Sequence, residues 1–193
     1  NCILNLVNPY KILIITDAWY PQTNGVVRTM DNLGQQLQKR GHQVKYITPN
    51  EFITVPMPTY REIRLALNAW PKINKIIKAY NPQVVHISTE GPLGFFGRKY
   101  CHKSNIKFTT SYHTKFPDYV YARTKIPVNF SYRFMRFFHK QSQSILVTTQ
   151  TMKKELAENG FDENKLKVWT RGVEHDVFGN GTKVKDFKGP VWI

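Results

Sequence analysis

Two short stretches concentrate the residues able to do chemistry. Thr16-Asp17-Ala18-Trp19-Tyr20-Pro21-Gln22-Thr23-Asn24-Gly25-Val26-Val27 joins an apolar run to a helical pattern, and Ser111-Tyr112-His113-Thr114-Lys115-Phe116-Pro117-Asp118-Tyr119 closes a second apolar run. A helix start preceded by Gly presents unpaired backbone N–H groups and a positive dipole end, so Asn24 and Gly25 are candidate anion binders. The same residue types serve equally as a plain N-cap and turn. No G-x-G-x-x-G occurs here and no G-x-x-x-x-G-K-[ST] anywhere, which excludes the dinucleotide fingerprint and the P-loop. His113, at the end of its run among Tyr, Thr and Lys, is a candidate proton carrier or hydrogen-bond donor. Glu90, in Ser88-Thr89-Glu90-Gly91-Pro92, reads as a solvated cap of the next helix, and His86, inside its run, as structural.

The elements that must position these residues alternate along the chain. Lys11 to Thr16, Gln43 to Thr48, Val84 to Ser88, Lys107 to Ser111, Ser144 to Thr148 and Leu166 to Trp169 read as strands, several apolar enough for burial on both faces. Val26 to Arg40 carries Val26, Met30, Leu33 and Leu37 on one helical stripe, with Gly41 where a stop is expected. Trp70 to Tyr80, Pro92 to Ser104, Val128 to Gln141 and Gln150 to Asn159 are the other helices. Regular alternation predicts an α/β fold, a Rossmann-like doubly wound parallel sheet with crossover helices. In that architecture ligands collect at the carboxyl ends of the strands, which puts Asn24, Gly25, Glu90 and His113 on one edge. Pro49 to Tyr60, with three prolines, is expected to be irregular or to hold one short edge strand.

The 193 residues carry 28 Lys and Arg against 13 Asp and Glu, a net charge of +15, with 41% hydrophobic residues. That balance excludes a disordered tail and fits a folded core with an anionic partner. Two cysteines, Cys2 and Cys101, make neither a disulfide lattice nor a zinc pattern, so no metal is expected and a reducing compartment is favoured. No apolar run approaches the roughly 20 residues of a membrane span. The basic residues are grouped: Lys72, Lys75 and Lys78 on one helix, Arg98, Lys99, His102 and Lys103 on a second, and Arg133, Arg136 and Lys140 on a third beside Phe130, Phe134, Phe137 and Phe138. The third helix is either an ordinary amphipathic one with its Phe residues in the core or an interfacial one facing anionic lipid, its Arg133, Arg136 and Lys140 toward the membrane. A pI near 9.9 also belongs to nucleic-acid binders, but no helix-turn-helix, RNP strand or zinc motif is present, and nucleic acid is not expected as a partner.

Four blocks taken together, TDAWYPQTNGVVRTM at 16 to 30, STEGPLGFFGRKY at 88 to 100, SYHTKFPDYV at 111 to 120 and RGVEHDVF at 171 to 178, resemble the N-terminal half of retaining glycosyltransferases of the GT-B fold, family 4. The wording is most similar to the branch that glycosylates lipids, including mannosyl- and sulfoquinovosyltransferases. The resemblance implies a hexosyltransferase using a GDP- or UDP-linked nucleotide sugar as substrate, with no separate cofactor, and a membrane lipid or lipid-linked glycan as acceptor. It implies that Asn24, Gly25 and Val26 lie against the donor diphosphate, that His113 is the active-site histidine near the anomeric centre, and that Tyr112, Thr114 and Lys115 lie on the acceptor side. Arg171-Gly172-Val173 matches an Asn-Gly-Val block of the family with Arg in place of Asn.

It further implies a cytoplasmic enzyme peripheral to the inner face of the cell membrane. Residues 1–177 would form the acceptor-side domain, and 178–193 a linker and the start of a nucleotide-binding domain without which the chain is inactive. Glu155 and Glu163 imitate the spacing of the family's signature glutamates, but that pair belongs after the linker, so both are read as solvated surface. The alternative is a basic non-catalytic module that binds anionic membrane or nucleic acid.

Overall fold

A computed structural model describes residues 8–57, 60–113, 121, 122, 125 and 127–170. In chain order these form β1 (Lys11–Ile15), α1 (Gly25–Lys39), β2 (Gln43–Ile47), β3 (Thr54–Met57), β4 (Tyr60–Ala66), α2 (Ala69–Tyr80), β5 (Val84–Ile87), α3 (Pro92–Lys103), β6 (Phe108–Tyr112), α4 (Val128–His139), β7 (Ser144–Val147), α5 (Gln150–Glu158) and β8 (Leu166–Val168). Six strands make one parallel sheet in the order β2-β1-β5-β6-β7-β8. The chain leaves β1 toward β2 and later returns on its other side as β5. The order therefore reverses between β1 and β5, the place where open α/β sheets part their loops into a crevice.

The central strands β1 and β5 are covered on both faces, which is why they read as continuous apolar runs rather than as alternating patterns. Leu13 and Ile15 point to the side of α2, α3 and α4 and pack with Ile73, Ile77, Leu93 and Phe138. Ile12 and Ile14 point to the other side and meet Met30, Val26, Leu33 and Leu37 of α1. A second cluster, with Tyr112, Tyr132, Met135, Ile145, Val147 and Leu156, seats α4 and α5 on β6 and β7. Cys101 lies in the core with its thiol pushed up to about 12 by burial, so it packs as a small apolar group.

The five helices and six main strands fall where sequence patterning places them. The exception is the proline-rich segment. It opens with a 3-10 turn over Pro49–Glu51 and continues as an antiparallel hairpin, β3 with β4, so Tyr60–Ala66 is a strand that patterning alone misses. Pro56 sits in β3 because a two-stranded ribbon consists entirely of edges, where a missing N–H costs little.

Basic side chains tie the helices together by capping carbonyl ends. Arg98 of α3 is buried, and its Nε and Nη2 donate to the Phe138 and Phe137 carbonyls, at 2.8 and 2.9 Å, in the last turn of α4. Those carbonyls carry the negative end of the helix dipole, so the guanidinium satisfies both hydrogen bonding and charge. Arg98 thus leaves the surface basic group in which sequence reading placed it. Arg98→Ala is expected to lower stability by about 2–3 kcal/mol, with only partial recovery in Arg98→Lys because an ammonium cannot reproduce the fork. Urea unfolding of the three proteins measures this.

Candidate active site

The crevice between β1 and β5 is organised by a carboxylate. Asp17, two residues past β1, is 5% exposed. Its Oδ1 accepts from the Leu93 N–H at 2.8 Å and its Oδ2 from the Gly94 N–H at 3.1 Å, the first-turn donors of α3. The Thr89 hydroxyl donates to Oδ2 at 2.9 Å and accepts from the Asp17 N–H at 2.7 Å. Asp17 is therefore the N-cap of a helix remote in sequence, and the local cap position is Gly91, which has no side chain to offer. The glycines of this block are what permit the approach. A Cβ on Gly91 would lie 2.4 Å from the Asp17 carboxyl carbon, and one on Gly94 would lie 1.9 Å from the Thr89 carbonyl oxygen. Burial pushes the Asp17 carboxyl up to about 6, against the lowering pull of the Leu93 and Gly94 N–H groups and the Thr89 hydroxyl.

His113 follows β6, and its Nε2 lies 3.3 Å from the Oγ of Ser88, the residue after β5. Ser88 is fully buried and its N–H is anchored on the Ile15 carbonyl at 2.8 Å, so the contact ties the imidazole to the end of the neighbouring strand. Behind this edge His86 bridges Thr109 through Nδ1 at 2.9 Å and Ser111 through Nε2 at 2.8 Å. Burial lowers its pKa to about 4, so the ring is neutral at pH 7 and structural, as its position inside β5 predicts.

Asn24 is a working N-cap. Its Oδ1 accepts from the N–H groups of Val26 and Val27, both at 3.0 Å, and Asn24 is extended ahead of α1. Of the two readings of the motif, the geometry shows the N-cap. The Val26 N–H is already occupied by Asn24, which corrects its assignment as a direct anion donor in this state, while the Gly25 N–H is the first-turn donor that Asn24 does not take.

Several expected roles change. Tyr112 is 1% exposed and packs against the rings of His139 and Phe161, so it holds the strand end in the core and cannot face an acceptor from there. Glu90 is not a solvated cap; its carboxylate lies 3.3 Å from Nε2 of the fully buried His139, whose Nδ1 meets the Thr110 hydroxyl at 2.9 Å. Glu155 accepts from the Tyr132 hydroxyl at 3.0 Å, whereas Glu163 is surface, 3.6 Å from Lys153. Arg136 is spent on the Asn159 carbonyl at 2.6 Å, leaving Arg133 of α4 and Lys140, the residue after it, exposed. Thr114, Lys115, the block from Arg171 and the segment 178–193 lie outside the described residues. Asp17 and Ser88 are the site residues that sequence reading passed over, because each acts on a partner more than twenty residues away. The available signal was a buried-type carboxylate at a strand end, facing a helix whose own cap position is glycine.

The doubly wound parallel sheet with polar groups at its switch point matches the Rossmann-like domain of GT-B glycosyltransferases. Residues 23–177 match the family described as Glycosyltransferase Family 4, and the chain belongs to that family. It is similar to sulfoquinovosyl transferase SQD2 of Arabidopsis thaliana, 25% identical over 90% of this chain and 37% of that protein. It is also similar to alpha-monoglucosyldiacylglycerol synthase of Streptococcus pneumoniae, 25% identical over 93% of this chain and 42% of the relative. The chain thus spans less than half the length of these relatives. Among solved structures, sucrose-phosphate synthase from Thermosynechococcus elongatus superposes with a TM-score of 0.66 at 16% identity, over 88% of this chain and 50% of that one. Anabaena Alr3699/HepE in complex with UDP and glucose gives 0.57 at 10% identity, over 88% and 46%.

The Asp17 cap makes a pH prediction. A native pKa of about 6 against 3.8 means that the folded state holds the proton more tightly. The Asp17 contribution to stability is therefore complete below about pH 4 and is lost as pH rises through about 6. The stability margin of the wild type over Asp17→Asn is expected to shrink across that window. Asp17→Ala, which removes the cap outright, is expected to cost about 1–2 kcal/mol at pH 4 and progressively less as pH rises through about 6. Thermal unfolding from pH 4 to pH 7 reads both.

Proposed function

We propose that the complete protein transfers a hexose, with retention of configuration, from a GDP- or UDP-linked nucleotide sugar to a membrane lipid or lipid-linked glycan. The observation that carries this reading is the placement of His113, held against Ser88, on the same sheet edge as the α1 N-terminus at Asn24 and Gly25. The relative named alpha-monoglucosyldiacylglycerol synthase supports a lipid acceptor, and the sulfoquinovosyl transferase supports transfer of a hexose-derived sugar. A third, GDP-mannose-dependent alpha-mannosyltransferase of Corynebacterium glutamicum, 20% identical over 93% of this chain and 47% of its own length, keeps mannose among the candidate sugars.

In the proposed reaction the bond from the anomeric carbon to the diphosphate breaks, and the acceptor oxygen bonds to the same face of that carbon. The acceptor proton passes to the departing phosphate oxygen. Negative charge grows on the diphosphate, and the Gly25 N–H with the positive end of α1 is placed to stabilise it; Asn24 sets that geometry and Val26 joins only if the cap opens. His113 contacts the transferring sugar near the anomeric centre, and Thr114 and Lys115 hold the acceptor. The chemistry asks for no metal or separate cofactor, since the nucleotide sugar is itself the substrate. Nucleotide selection falls to residues outside this chain. Access to a lipid acceptor is assigned to docking at the surface of the cytoplasmic face. Among the described residues no helix is long and apolar enough to cross a membrane.

The test supplies the complete protein with UDP-glucose or GDP-mannose and diacylglycerol in detergent, with the product identified by mass spectrometry and its anomeric linkage by NMR. His113→Ala is expected to lower transfer about a hundredfold or more, and Ser88→Ala less, because the imidazole remains and only its tether is gone. Transfer by His113→Ala at the wild-type rate overturns the assignment.

A further inference from the structure

The three helices that cover one face of the sheet, α2, α3 and α4, contain no Asp or Glu over their combined lengths. They are contiguous: Trp70 of α2 stacks on Phe96 of α3 at 6.0 Å, and Arg98 of α3 caps α4. Their outward surface holds the exposed cations Lys75, Lys78, Lys99, Lys103 and Arg133. Among the described residues none of these pairs with a carboxylate, and Lys99 instead lies over the Trp70 ring at 4.7 Å. Lys72 is set apart, because its ammonium donates to the Glu51 carbonyl.

Between α2 and α3 runs an open groove of about 560 Å³, lined by Trp70, Tyr100, Lys75, Lys78 and Lys103. The Asn74 side-chain oxygen on its wall is buried with no hydrogen-bond partner among the described residues. On α4, which α3 joins through Arg98, Phe130, Phe134 and Phe137 stand at i, i+4 and i+7 with 65, 37 and 52% exposure, while Phe138 of the four is buried. Sequence reading left the Phe residues between core and membrane; the fold sends three of the four outward. An aromatic stripe of this kind is costly to leave in water, and beside unpaired cations it matches an interface that offers both phosphates and an apolar layer.

We propose that this helical face is the surface by which the protein docks on an anionic phospholipid bilayer, with headgroup phosphates in the α2–α3 groove and Phe130, Phe134 and Phe137 at the boundary between headgroups and acyl chains. The proposal rests on the lipid-acceptor reading above and gives it a side of the molecule. It also shifts the membrane-facing residues away from Arg136, which is occupied, toward Lys75, Lys78 and Lys103. A nucleic acid would engage the lysines but leaves the exposed aromatic stripe unexplained, since Phe130, Phe134 and Phe137 lie along the outer face of a helix rather than in a groove that admits bases.

The test is flotation of the complete protein with phosphatidylcholine vesicles, with and without phosphatidylglycerol, across a salt titration. Wild type is expected to bind only the vesicles that contain phosphatidylglycerol, with a salt-sensitive part and a salt-resistant part. Lys75→Glu with Lys78→Glu and Lys103→Glu is expected to weaken binding about tenfold or more. Serine at all three Phe positions is expected to remove the salt-resistant part. A charge-matched control, Lys39→Glu with Arg40→Glu and Lys167→Glu away from this face, is expected to bind as wild type. Equal loss in the control, retention in the groove variant, or stronger binding to DNA than to vesicles overturns the proposal. Transfer to detergent-dispersed diacylglycerol, measured on the same variants, reports the catalytic reading separately: it is expected to persist when docking is lost.

Discussion

The N-terminus of α3 closes over the Asp17 carboxylate, and the rest of the molecule is arranged around that contact. Two backbone N–H groups and the Thr89 hydroxyl replace water around a buried carboxyl group, at a point where the sheet order reverses. The contact joins β1, the loop after β5 and α3 in one step, so it sets the height at which α3 crosses the sheet. From that height Arg98 reaches the last carbonyls of α4, and the loop carrying Ser88 is held where it meets His113. The cost is visible in the raised carboxyl pKa, and it is met by hydrogen bonds rather than by a cation.

That choice bears on the charge of the chain. With 28 basic residues against 13 acidic ones, most cations have no carboxylate to meet. The fold turns a share of them onto carbonyl groups instead: Arg98 onto α4, Arg136 onto Asn159 at the end of α5, Lys165 onto the Lys140 carbonyl, and Lys72 onto Glu51. Helix ends carry partial negative charge, so these contacts are satisfied internally and withdraw the cations from any partner. Of the cations left over, Lys75, Lys78, Lys99, Lys103 and Arg133 share the α2–α3–α4 side, while Arg28, Lys39 and Arg40 stay exposed on α1 and at its end. The net charge is therefore two populations, one structural and one presented outward, and only the second is available to an anionic surface.

Much of the architecture was legible from the chain alone. Strands buried on both faces read as apolar runs, and Met30, Leu33 and Leu37 declared α1 by their spacing. The β3–β4 hairpin escaped because its prolines argue against a strand interior, and a ribbon with no interior is the exception to that argument. His86 was legible as structural because burial inside β5 forces a partner for each ring nitrogen, and Thr109 and Ser111 supply them. Tyr112 and Glu90 were misplaced because adjacency to a motif says nothing about which side of the sheet a residue meets; Tyr112 turns into the core and Glu90 toward His139.

What the sequence by itself determined was local: the alternation of strand and helix, the N-cap at Asn24, the glycine stop after α1 and the placing of His113 at a strand end. These depend on residue periodicity and on backbone donors a few positions apart, and such forces act before the chain closes on itself. Tertiary structure alone decided that Asp17 caps a helix 76 residues away, that Ser88 tethers His113, and that Arg98 is buried while Lys103 is not. The reason is physical. The worth of a carboxylate, a hydroxyl or a guanidinium depends on whether water or protein fills its hydrogen-bonding positions, and only the folded chain settles which.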